Sequence, residues 1–308
     1  MSLKGRDVIS INDFSKDELD LIFRTAEKME YYSNKTLPIL SDKIVAVLFF
    51  EPSTRTRLSF ETSVLRLGGK CIGFSEPTIS SIAKGESLAD TIRMVDEYAD
   101  LIIMRHPVDG AARYAAEIAK IPVINGGDGS THHPTQAMLD LYTIKKRFGK
   151  IDGLHIAIMG DLAHARASIS FAYGVSKYNV KLTLVSPYQL RMRREVIDHL
   201  KKVLPNVNEI EQLSDVIRDV DVIYITRVQK ERFTDVEEYE KIKDLYRLDY
   251  EAVKNAKESM VILHPLPRVT ELSHELDNTP HALYFQQAKN AIPVRMALIS
   301  LIMGVEVG

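Results

Sequence analysis

The sequence predicts an α/β protein made of two doubly wound parallel-sheet domains. Short apolar runs alternate with segments of helical periodicity along its 308 residues. The runs are apolar throughout, which is typical of parallel strands covered on both faces. A fresh strand–helix series starts behind Lys150-Ile151-Asp152-Gly153. Because a single core stops growing at roughly 250–300 residues, we expect two domains.

The composition indicates an ordinary globular protein and excludes several classes. The net charge is −2, so the overall charge favours neither a nucleic acid nor a membrane surface as partner. The single cysteine, Cys71, rules out an internal disulfide, and its apolar surroundings predict a core position. No apolar stretch approaches ~20 residues and no signal sequence is recognisable, so we expect a cytoplasmic protein.

The first half is predicted to hold four strands separated by helices. A first helix follows Ser15-Lys16-Asp17-Glu18, in which serine and glutamate form a capping box. Apolar runs predict strands at residues 44–50, 71–74, 101–104 and 122–125. Further helices are predicted to begin near Leu58, Ser87, Ala111 and His132. After the fourth strand, Gly126-Gly127-Asp128-Gly129 predicts a sharp turn.

The second half repeats this alternation and ends in a helix. Its strands are predicted at residues 156–159, 182–185, 222–226 and 261–263. Helices begin near Arg166 and Arg193, and a last helix covers residues 291–303. We interpret the run Arg191-Met192-Arg193-Arg194 as surface charge.

The stretch Ser53-Thr54-Arg55-Thr56-Arg57 follows the first strand and begins a helix. Its hydroxyl side chains are expected to cap the first turn, whose N–H groups and dipole attract anions. The two arginines add planar forks that match phosphate or carboxylate oxygens. The stretch has no glycine-rich loop, so it is neither a Walker phosphate loop nor a dinucleotide fingerprint. It predicts an anion site.

Polar residues also follow the other predicted strands. They are Arg105, the turn to His133 and Gln136, Arg166, Arg227 with Gln229, and residues 264–267. In open α/β sheets, ligands lie outside the carboxyl ends of the strands. We therefore expect an active site in the crevice between the two domains, and its many cations require a strongly anionic ligand.

Several reaction classes lack their motifs in this chain. There is no Gly-x-Ser-x-Gly elbow, no His-Glu-x-x-His and no carboxylate cluster at metal spacing. Gly160-Asp161-Leu162-Ala163-His164-Ala165 lacks two fingerprint glycines, which opposes a nicotinamide dehydrogenase. The arginines, histidine and hydroxyl residues that follow the strands favour group transfer by positioning and charge stabilisation, without metal, cofactor or covalent enzyme intermediate.

Three motifs give the chain a close resemblance to the carbamoyltransferase family, nearly from end to end. They are Ser53-Thr54-Arg55-Thr56-Arg57, His133-Pro134-Thr135-Gln136 and His264-Pro265-Leu266-Pro267-Arg268. Where ornithine carbamoyltransferases carry Ser-Met-Gly and His-Cys-Leu-Pro, this chain has residues 226–232 and 264–267 in the pattern of the aspartate branch. The resemblance therefore favours L-aspartate as the acceptor.

The resemblance implies a reaction and a division of labour. The carbamoyl group of carbamoyl phosphate would pass to the α-amino group of L-aspartate, giving N-carbamoyl-L-aspartate and phosphate for pyrimidine synthesis. Residues 1–149 would bind carbamoyl phosphate, with a C-terminal helix at about 288–308 packing back on them. Residues 150–287 would bind L-aspartate.

The resemblance also implies roles for particular residues. The carbamoyl-phosphate-binding set would be Ser53, Thr54, Arg55, Thr56, Arg105, His133, Gln136, Pro265, Leu266 and Pro267. The aspartate-binding set would be Lys84, Arg166, Arg227 and Gln229. The catalytic set would be Thr56, Arg105, His133 and Lys84. Ser80 and Lys84 would enter a neighbouring subunit's site, which makes a homotrimer with shared sites necessary for activity.

Some interpretations stay open. Around Arg166 the chain reads Ala163-His164-Ala165-Arg166-Ala167-Ser168-Ile169, where the family commonly has Lys-Tyr-Gly-Arg-Thr-Val-His. Arg57 has an alternative role in an ion pair with Glu86, and His264 is interpreted as fixing the turn that follows it. An ornithine-type or other amino-acid carbamoyltransferase and a non-catalytic anion-binding homologue are the alternative functions. A separate regulatory chain is compatible with the sequence.

Overall fold

The structure is a computed structural model that describes residues 2–75, 81–228 and 246–305. The chain forms two compact units, one of Met1–Leu139 with Asn290–Gly308 and the other of Asp140–Lys289. Each unit contains a parallel sheet with helices, so the predicted α/β class with two parallel-sheet domains is confirmed.

The sheet of the first unit has its order reversal between β1 and β3. The strands are β1 (Ile44–Phe49), β2 (Lys70–Phe74), β3 (Leu101–His106) and β4 (Val123–Asp128). The helices are α1 (Lys16–Glu30), α2 (Thr54–Arg66), α3 (Leu88–Asp96), α4 (Ala111–Ile118) and α5 (Pro134–Phe148), which continues into the second unit. The parallel order is β2-β1-β3-β4. Such a switch point is where open α/β sheets bind ligands.

The second unit has a five-stranded parallel sheet. Its strands are β5 (His155–Gly160), β6 (Lys181–Val185), β7 (Val207–Ile210), β8 (Val222–Thr226) and β9 (Val261–Leu263). Its described helices are α6 (Arg166–Val175), α7 (Arg194–Val203), α8 (Tyr250–Val253) and α9 (Tyr284–Lys289). The order β7-β6-β5-β8-β9 places its switch point between β5 and β8.

The last helix, α10 (Ala291–Met303), packs against α1 and α2 of the first unit. It is buried on nearly all sides, whereas α1 buries one face. α1 begins with the predicted capping box, in which Ser15 Oγ accepts from Glu18 N and the Glu18 side chain accepts from Ser15 N. The units divide between residues 139 and 140, ten residues before the boundary expected from sequence. Asp140 is the first residue of the second unit, and its side chain is hydrogen-bonded to Tyr224 and Gln287 of that unit.

Three local predictions differ from the structure. Gly126 and Gly127 lie inside β4 and not in a turn; a side chain at Gly126 would approach the Met104 carbonyl of β3 at 3.1 Å. Strand β7 escaped prediction because it is a short, partly exposed edge strand without an apolar run. Cys71 is only half-buried because β2 is also an edge strand. None of the helices in the described ranges is long and apolar enough to cross a membrane.

Candidate active site

The start of α2 differs from the starts of two other helices in the way its serine is used. Ser53 occupies the N-cap position with extended backbone, but its side chain makes no capping hydrogen bond. By contrast, Ser15 and Ser87 each accept a hydrogen bond from the first turn of their helices. The expected side-chain cap on α2 is therefore wrong. The Ser53 hydroxyl, which the helix does not use as a cap, lies beside first-turn N–H groups suited to an anion.

The residues of the predicted anion site, Ser53-Thr54-Arg55-Thr56-Arg57, here called the cradle, differ in exposure. Thr54 and Arg55 are exposed and Ser53 is half-buried, whereas Thr56 is buried. Arg57 is paired with Glu61 at 2.7 Å, one helical turn later. The alternative ion pair of Arg57 with Glu86 is therefore wrong, because the nearer carboxylate on the same helix face takes it.

The side chains of Thr56 and Arg105 both lie close to Gly126 of β4. A Cβ placed on Gly126 would lie 3.6 Å from the Thr56 methyl group. The Arg105 Nη1 atom donates to the Gly126 carbonyl at 3.3 Å. The structure therefore brings the predicted catalytic threonine and arginine together where β1 and β3 end, which is the switch point of the first sheet.

A carboxylate that sequence reasoning missed holds Arg105. Glu51 Oε1 accepts from Arg105 Nε at 2.7 Å, and both side chains are largely buried. The Nε and Nη1 contacts fix the plane of the guanidinium, as expected for a rigid fork. The signal in the sequence was the position of Glu51, two residues after the end of β1 and two residues before Ser53.

His133 and Gln136 lie where β4 leads into α5. His133 is buried, and its carbonyl accepts from the backbone N–H groups of Gln136 and Ala137, so it begins the helix. His132 forms a bridge back to Asp128, which closes the loop between β4 and α5. Both predicted residues thus follow the strand next to β3.

In the second unit, Arg166 and Arg227 lie at the switch point between β5 and β8. Arg166 is the first residue of α6, and Arg227 directly follows β8. The ends of these strands are in register at Gly160 and Thr226. Only glycine fits at 160, where φ is +104° and a Cβ would lie 2.1 Å from the Thr226 carbonyl oxygen. Ser168 and Thr226 share a hydrogen bond of 3.1 Å, which ties the start of α6 to the end of β8.

The altered segment around Arg166 has its own supports. Asp161 is fully buried, and its Oδ1 atom accepts from the His164 backbone N–H and lies 3.1 Å from His164 Nδ1. Arg193 donates from Nε to the Ala163 carbonyl at 3.0 Å. Arg193 is therefore not simple surface charge, because it holds the loop that carries Arg166.

His264 fixes the turn that follows β9, as interpreted from sequence. It is buried, its Nδ1 accepts from the Leu266 N–H at 2.8 Å, and its Nε2 lies 2.7 Å from Glu271 Oε1. An Nδ1 that accepts leaves the proton on Nε2, which then donates to Glu271. Burial raises the pKa of the Glu271 carboxyl, but the hydrogen bonds from His264 and from the Val269 N–H outweigh burial and hold the pKa below its ordinary value. Leu266 has a φ of +56°, and the Leu266–Pro267 peptide bond is cis.

The remaining predicted site residues differ in exposure, and two of them lie outside the residues that the structure describes. Lys84 is exposed at the end of the short 3-10 helix Ser81–Lys84, ahead of α3. Ser80 and Gln229 lie outside the described residues. Pro265 and Leu266 are half-buried and Pro267 is exposed.

The first turn of α2 has a second support that the sequence did not reveal. The Ser59 hydroxyl donates to the carbonyls of Arg55 at 2.5 Å and Thr56 at 3.0 Å. Arg295 on α10 donates from Nη1 to Ser59 Oγ, and its guanidinium lies 4.3 Å from the centre of the Phe60 ring. The cradle is thus anchored through a buried arginine 236 residues from Ser59 along the chain.

Comparison with protein families matches both halves of the chain. Residues 6–146 match the aspartate/ornithine carbamoyltransferase carbamoyl-P binding domain. Residues 152–302 match the Asp/Orn binding domain of the same family.

The chain is also similar over its full length to curated proteins named aspartate carbamoyltransferase catalytic subunit. It is 54% identical to that of Thermococcus kodakarensis and 53% identical to that of Thermococcus onnurineus, with 99% of each chain covered in both cases.

Solved structures agree in fold. The catalytic subunit of M. jannaschii aspartate transcarbamoylase is 48% identical with a TM-score of 0.87, covering 96% of this chain and 97% of that one. The Trypanosoma cruzi enzyme in complex with N-(phosphonacetyl)-L-aspartic acid is 36% identical with a TM-score of 0.93, covering 98% and 97%. The chain belongs to the aspartate/ornithine carbamoyltransferase family, and within it to the aspartate carbamoyltransferase catalytic chains.

Proposed function

We propose that this enzyme transfers the carbamoyl group of carbamoyl phosphate to the α-amino group of L-aspartate. The products are N-carbamoyl-L-aspartate and phosphate, the chemistry expected of a step in pyrimidine synthesis. The observation that carries the proposal is the placement of basic and hydroxyl residues at the switch points of both sheets. Trypanosoma cruzi aspartate transcarbamoylase, 36% identical with a TM-score of 0.92, has been solved in complex with carbamoyl phosphate and aspartate.

The first unit is assigned the carbamoyl phosphate. Ser53, Thr54, Arg55 and Thr56 would bind its phosphate at the start of α2, where no acidic residue occupies the first turn. Thr56, Arg105 and His133 would donate to the carbonyl oxygen and stabilise the oxyanion of the tetrahedral intermediate. The ion pair of Arg105 with Glu51 supports this role, because it presets the direction of the guanidinium.

The NH2 group of carbamoyl phosphate needs hydrogen-bond acceptors. The side-chain oxygen of Gln136 and the backbone carbonyls of Pro265 and Leu266 are assigned to it, with Pro267 completing the turn. The bonds of His264 support the assignment, because they hold the backbone of this turn in one conformation.

The second unit is assigned the L-aspartate. Arg166 and Arg227 lie at its switch point, and Gln229 follows two residues later in the sequence, so these residues would bind the two carboxylates. Arg193 supports Arg166 through the loop carbonyl of Ala163.

The chemical step is a direct displacement at the carbonyl carbon. The neutral amine of aspartate forms the new C–N bond, a tetrahedral intermediate carries the negative charge on oxygen, and the C–O bond to phosphate breaks. Guanidinium groups cannot act as bases at neutral pH, so the departing phosphate is assigned the amine proton. Catalysis then rests on positioning and on charge stabilisation of the oxyanion.

The absence of a covalent intermediate gives a direct test of the proposed function. The enzyme is incubated with carbon-14 carbamoyl phosphate, without and with L-aspartate, then denatured and separated from small molecules. We expect no label on the protein in either case, and with aspartate one phosphate for each labelled N-carbamoyl-L-aspartate. Stoichiometric label on the protein would contradict direct attack, and the lack of labelled carbamoyl-aspartate would contradict the reaction.

We also propose a homotrimer in which Ser80 and Lys84 reach a neighbouring subunit's site. The exposure of Lys84 supports this role, because within its own chain it ends a short helical turn at the surface. Exposed apolar residues of the same unit, Leu58 and Leu65 on α2 and Ile72 on β2, offer area that another copy can cover.

Mixing two inactive variants tests the shared site. Lys84→Ala chains are mixed with His133→Ala chains under conditions that exchange subunits, and mixed trimers are isolated. Some sites then combine an intact loop with an intact His133, so activity should return. Verified mixed trimers without activity would exclude the shared site. Sizing the protein with candidate partner proteins tests the separate regulatory chain that the relatives' name, catalytic subunit, suggests.

A further inference from the structure

A continuous chain of buried polar side chains runs through the second unit. Asp140 on α5 is fully buried, and its carboxylate accepts from the Tyr224 hydroxyl at 2.9 Å and from Gln287 Nε2 at 2.6 Å. Gln287 Oε1 in turn accepts from the His264 backbone N–H at 2.8 Å. A carboxylate only accepts and an N–H only donates, so the Gln287 amide has one orientation that satisfies both.

The same chain continues into the turn after β9. His264 accepts from the Leu266 N–H and donates to Glu271, and Glu271 accepts from the N–H groups of Val269 and Thr270. Five buried polar side chains therefore connect α5, β8 and α9 to this one turn. Their burial is costly unless their hydrogen bonds are made, so the route from Asp140 through Gln287 and His264 to the turn is held in one arrangement, with Tyr224 as a side branch on Asp140.

We propose that Asp140 and Gln287 are positioning residues that set the backbone carbonyls of Pro265 and Leu266 for the NH2 group of the substrate. The inference rests on the proposed function, which assigns these carbonyls to that group. Asp140 orients the Gln287 amide, Gln287 fixes the His264 backbone, and the His264 ring fixes the Leu266 backbone. Neither Asp140 nor Gln287 touches the substrate in this scheme.

A purely stabilising role is the competing explanation, and the Tyr224 contact separates the two. Burial and the neighbouring Asp140 raise the pKa of Tyr224 well above its ordinary value, so it remains a hydrogen-bond donor. Tyr224→Phe removes one donor from Asp140 but leaves the link from Asp140 through Gln287 to His264. It is the matched control: we expect lower thermal stability with unchanged kcat and KM.

Gln287→Glu tests the positioning role through the pH dependence of kcat/KM, which a purely stabilising role would leave unchanged. The variant places a second carboxyl group beside the Asp140 carboxylate. At low pH the two groups share one proton, and when that proton is lost the two negative charges repel each other. We expect kcat/KM for carbamoyl phosphate to fall about tenfold as the pH rises through the pair's raised pKa, a step that the wild type lacks.

An exchange of donor and acceptor should rescue the variant. In Asp140→Asn with Gln287→Glu, the new amide NH2 donates to the new carboxylate and the amide oxygen accepts from Tyr224. The other carboxylate oxygen accepts from the His264 N–H, so the three bonds described above for Asp140 and Gln287 are restored. We expect kcat/KM within about threefold of the wild type and no pH step. Asp140→Asn alone should be mild, because its oxygen can accept from Gln287 and its NH2 can donate to the Tyr224 oxygen.

A variant that folds without the polar pair covers the case in which Gln287→Glu is unstable. Asp140→Leu with Gln287→Met replaces the buried pair by apolar side chains of similar size, so no charge is left buried; the Tyr224 hydroxyl and the His264 N–H lose their acceptors, which lowers stability. We expect it to fold, to lose about tenfold in kcat/KM for carbamoyl phosphate, and to keep its KM for aspartate within about threefold.

Amide hydrogen exchange at His264 and Leu266 gives a readout that does not depend on activity. We expect faster exchange at both amides in Gln287→Glu and in the apolar double variant, and wild-type exchange in Tyr224→Phe. Unchanged exchange and unchanged kinetics in the folded Gln287 variants would overturn the inference. Failure of the proposed function is distinguishable, since there the wild type itself makes no carbamoyl-aspartate.

Discussion

Arg105, the proposed catalytic cation, shows at the scale of one residue how the fold fixes a guanidinium group. Its Nε atom is bound by Glu51 and its Nη1 atom by the Gly126 carbonyl, so the direction of the remaining N–H groups is set before a ligand arrives. A lysine carries the same charge but only one compact donor group, which cannot serve both partners and the substrate.

Arg105→Lys should therefore lower kcat by about 100–1,000-fold, the range for loss of one oxyanion donor. The measurement is the steady-state rate of carbamoyl-aspartate formation at saturating substrates. Arg113→Lys is the control, because Arg113 pairs with Asp13 at an exposed site and should leave the rate unchanged. A rate for Arg105→Lys close to the wild type would show that its fixed fork is not used.

Ser15 and Ser53 form a matched pair at two helix starts, one used for capping and one not. Ser15→Ala should lower the free energy of unfolding by about 1 kcal/mol, since a helix loses its cap. Ser53→Ala should change stability little and raise KM for carbamoyl phosphate by about tenfold, since a charge-assisted hydrogen bond is lost. Urea unfolding and initial rates measure the two effects. A stability loss in Ser53→Ala equal to that in Ser15→Ala, with KM unchanged, would contradict the assignment.

At the scale of the elements, α2 depends on α10 for the shape of its first turn. Ser59 joins the carbonyls of Arg55 and Thr56 to the buried guanidinium of Arg295. A helix from the end of the chain thus supports the turn to which we assign the phosphate.

Ser59→Ala should lower the free energy of unfolding by about 1–3 kcal/mol, because a buried donor loses its acceptor. Ser41→Ala, which removes a hydroxyl from an exposed turn, should change it by less than about 0.5 kcal/mol. Denaturant unfolding of both variants provides the comparison, and equal effects would exclude the special role of Ser59.

The elements were predictable from sequence where apolar residues run together. Strands β1, β3, β5, β8 and β9 follow such runs, and α1 follows its capping box. The polar edge strand β7 has no apolar run. The glycines of β4 were predicted to form a turn because the turn preference of glycine is local and does not include pairing with a neighbouring strand. Partners such as Glu51 for Arg105, or Gln287 for Asp140, lie 54 and 147 residues away. Only the fold determines those pairs.

At the scale of the whole molecule, several titratable groups share one direction of pH dependence. Burial raises the pKa of the Asp100 carboxyl, but hydrogen bonds from Lys43 and the Ile44 N–H outweigh burial and lower the pKa below 3.8. Glu271 likewise has a pKa below 4.5. Burial, followed by the charge of Lys181, lowers the pKa of His155 below 6.5. All three therefore bind protons more weakly folded than unfolded.

The melting temperature should accordingly fall as the pH drops below about 6.5, where unfolded histidines gain protons that folded ones do not. It should fall more steeply below about 4.5, where unfolded carboxyls gain protons and the stability from their folded-state bonds is lost. Thermal unfolding from pH 8 to 4 measures this, and His155→Gln should flatten the slope between pH 6.5 and 5. A melting temperature that rises over that interval would contradict the signs of these shifts.

The choice of acceptor tests the central claim most directly. Purified wild-type enzyme is given carbamoyl phosphate with L-aspartate and L-ornithine at equal concentration in one vessel, and both carbamoylated products are quantified by mass spectrometry. We predict N-carbamoyl-L-aspartate with no carbamoyl-ornithine above the uncatalysed background. Carbamoyl-ornithine as the main product, or neither product above background, would contradict the proposed function.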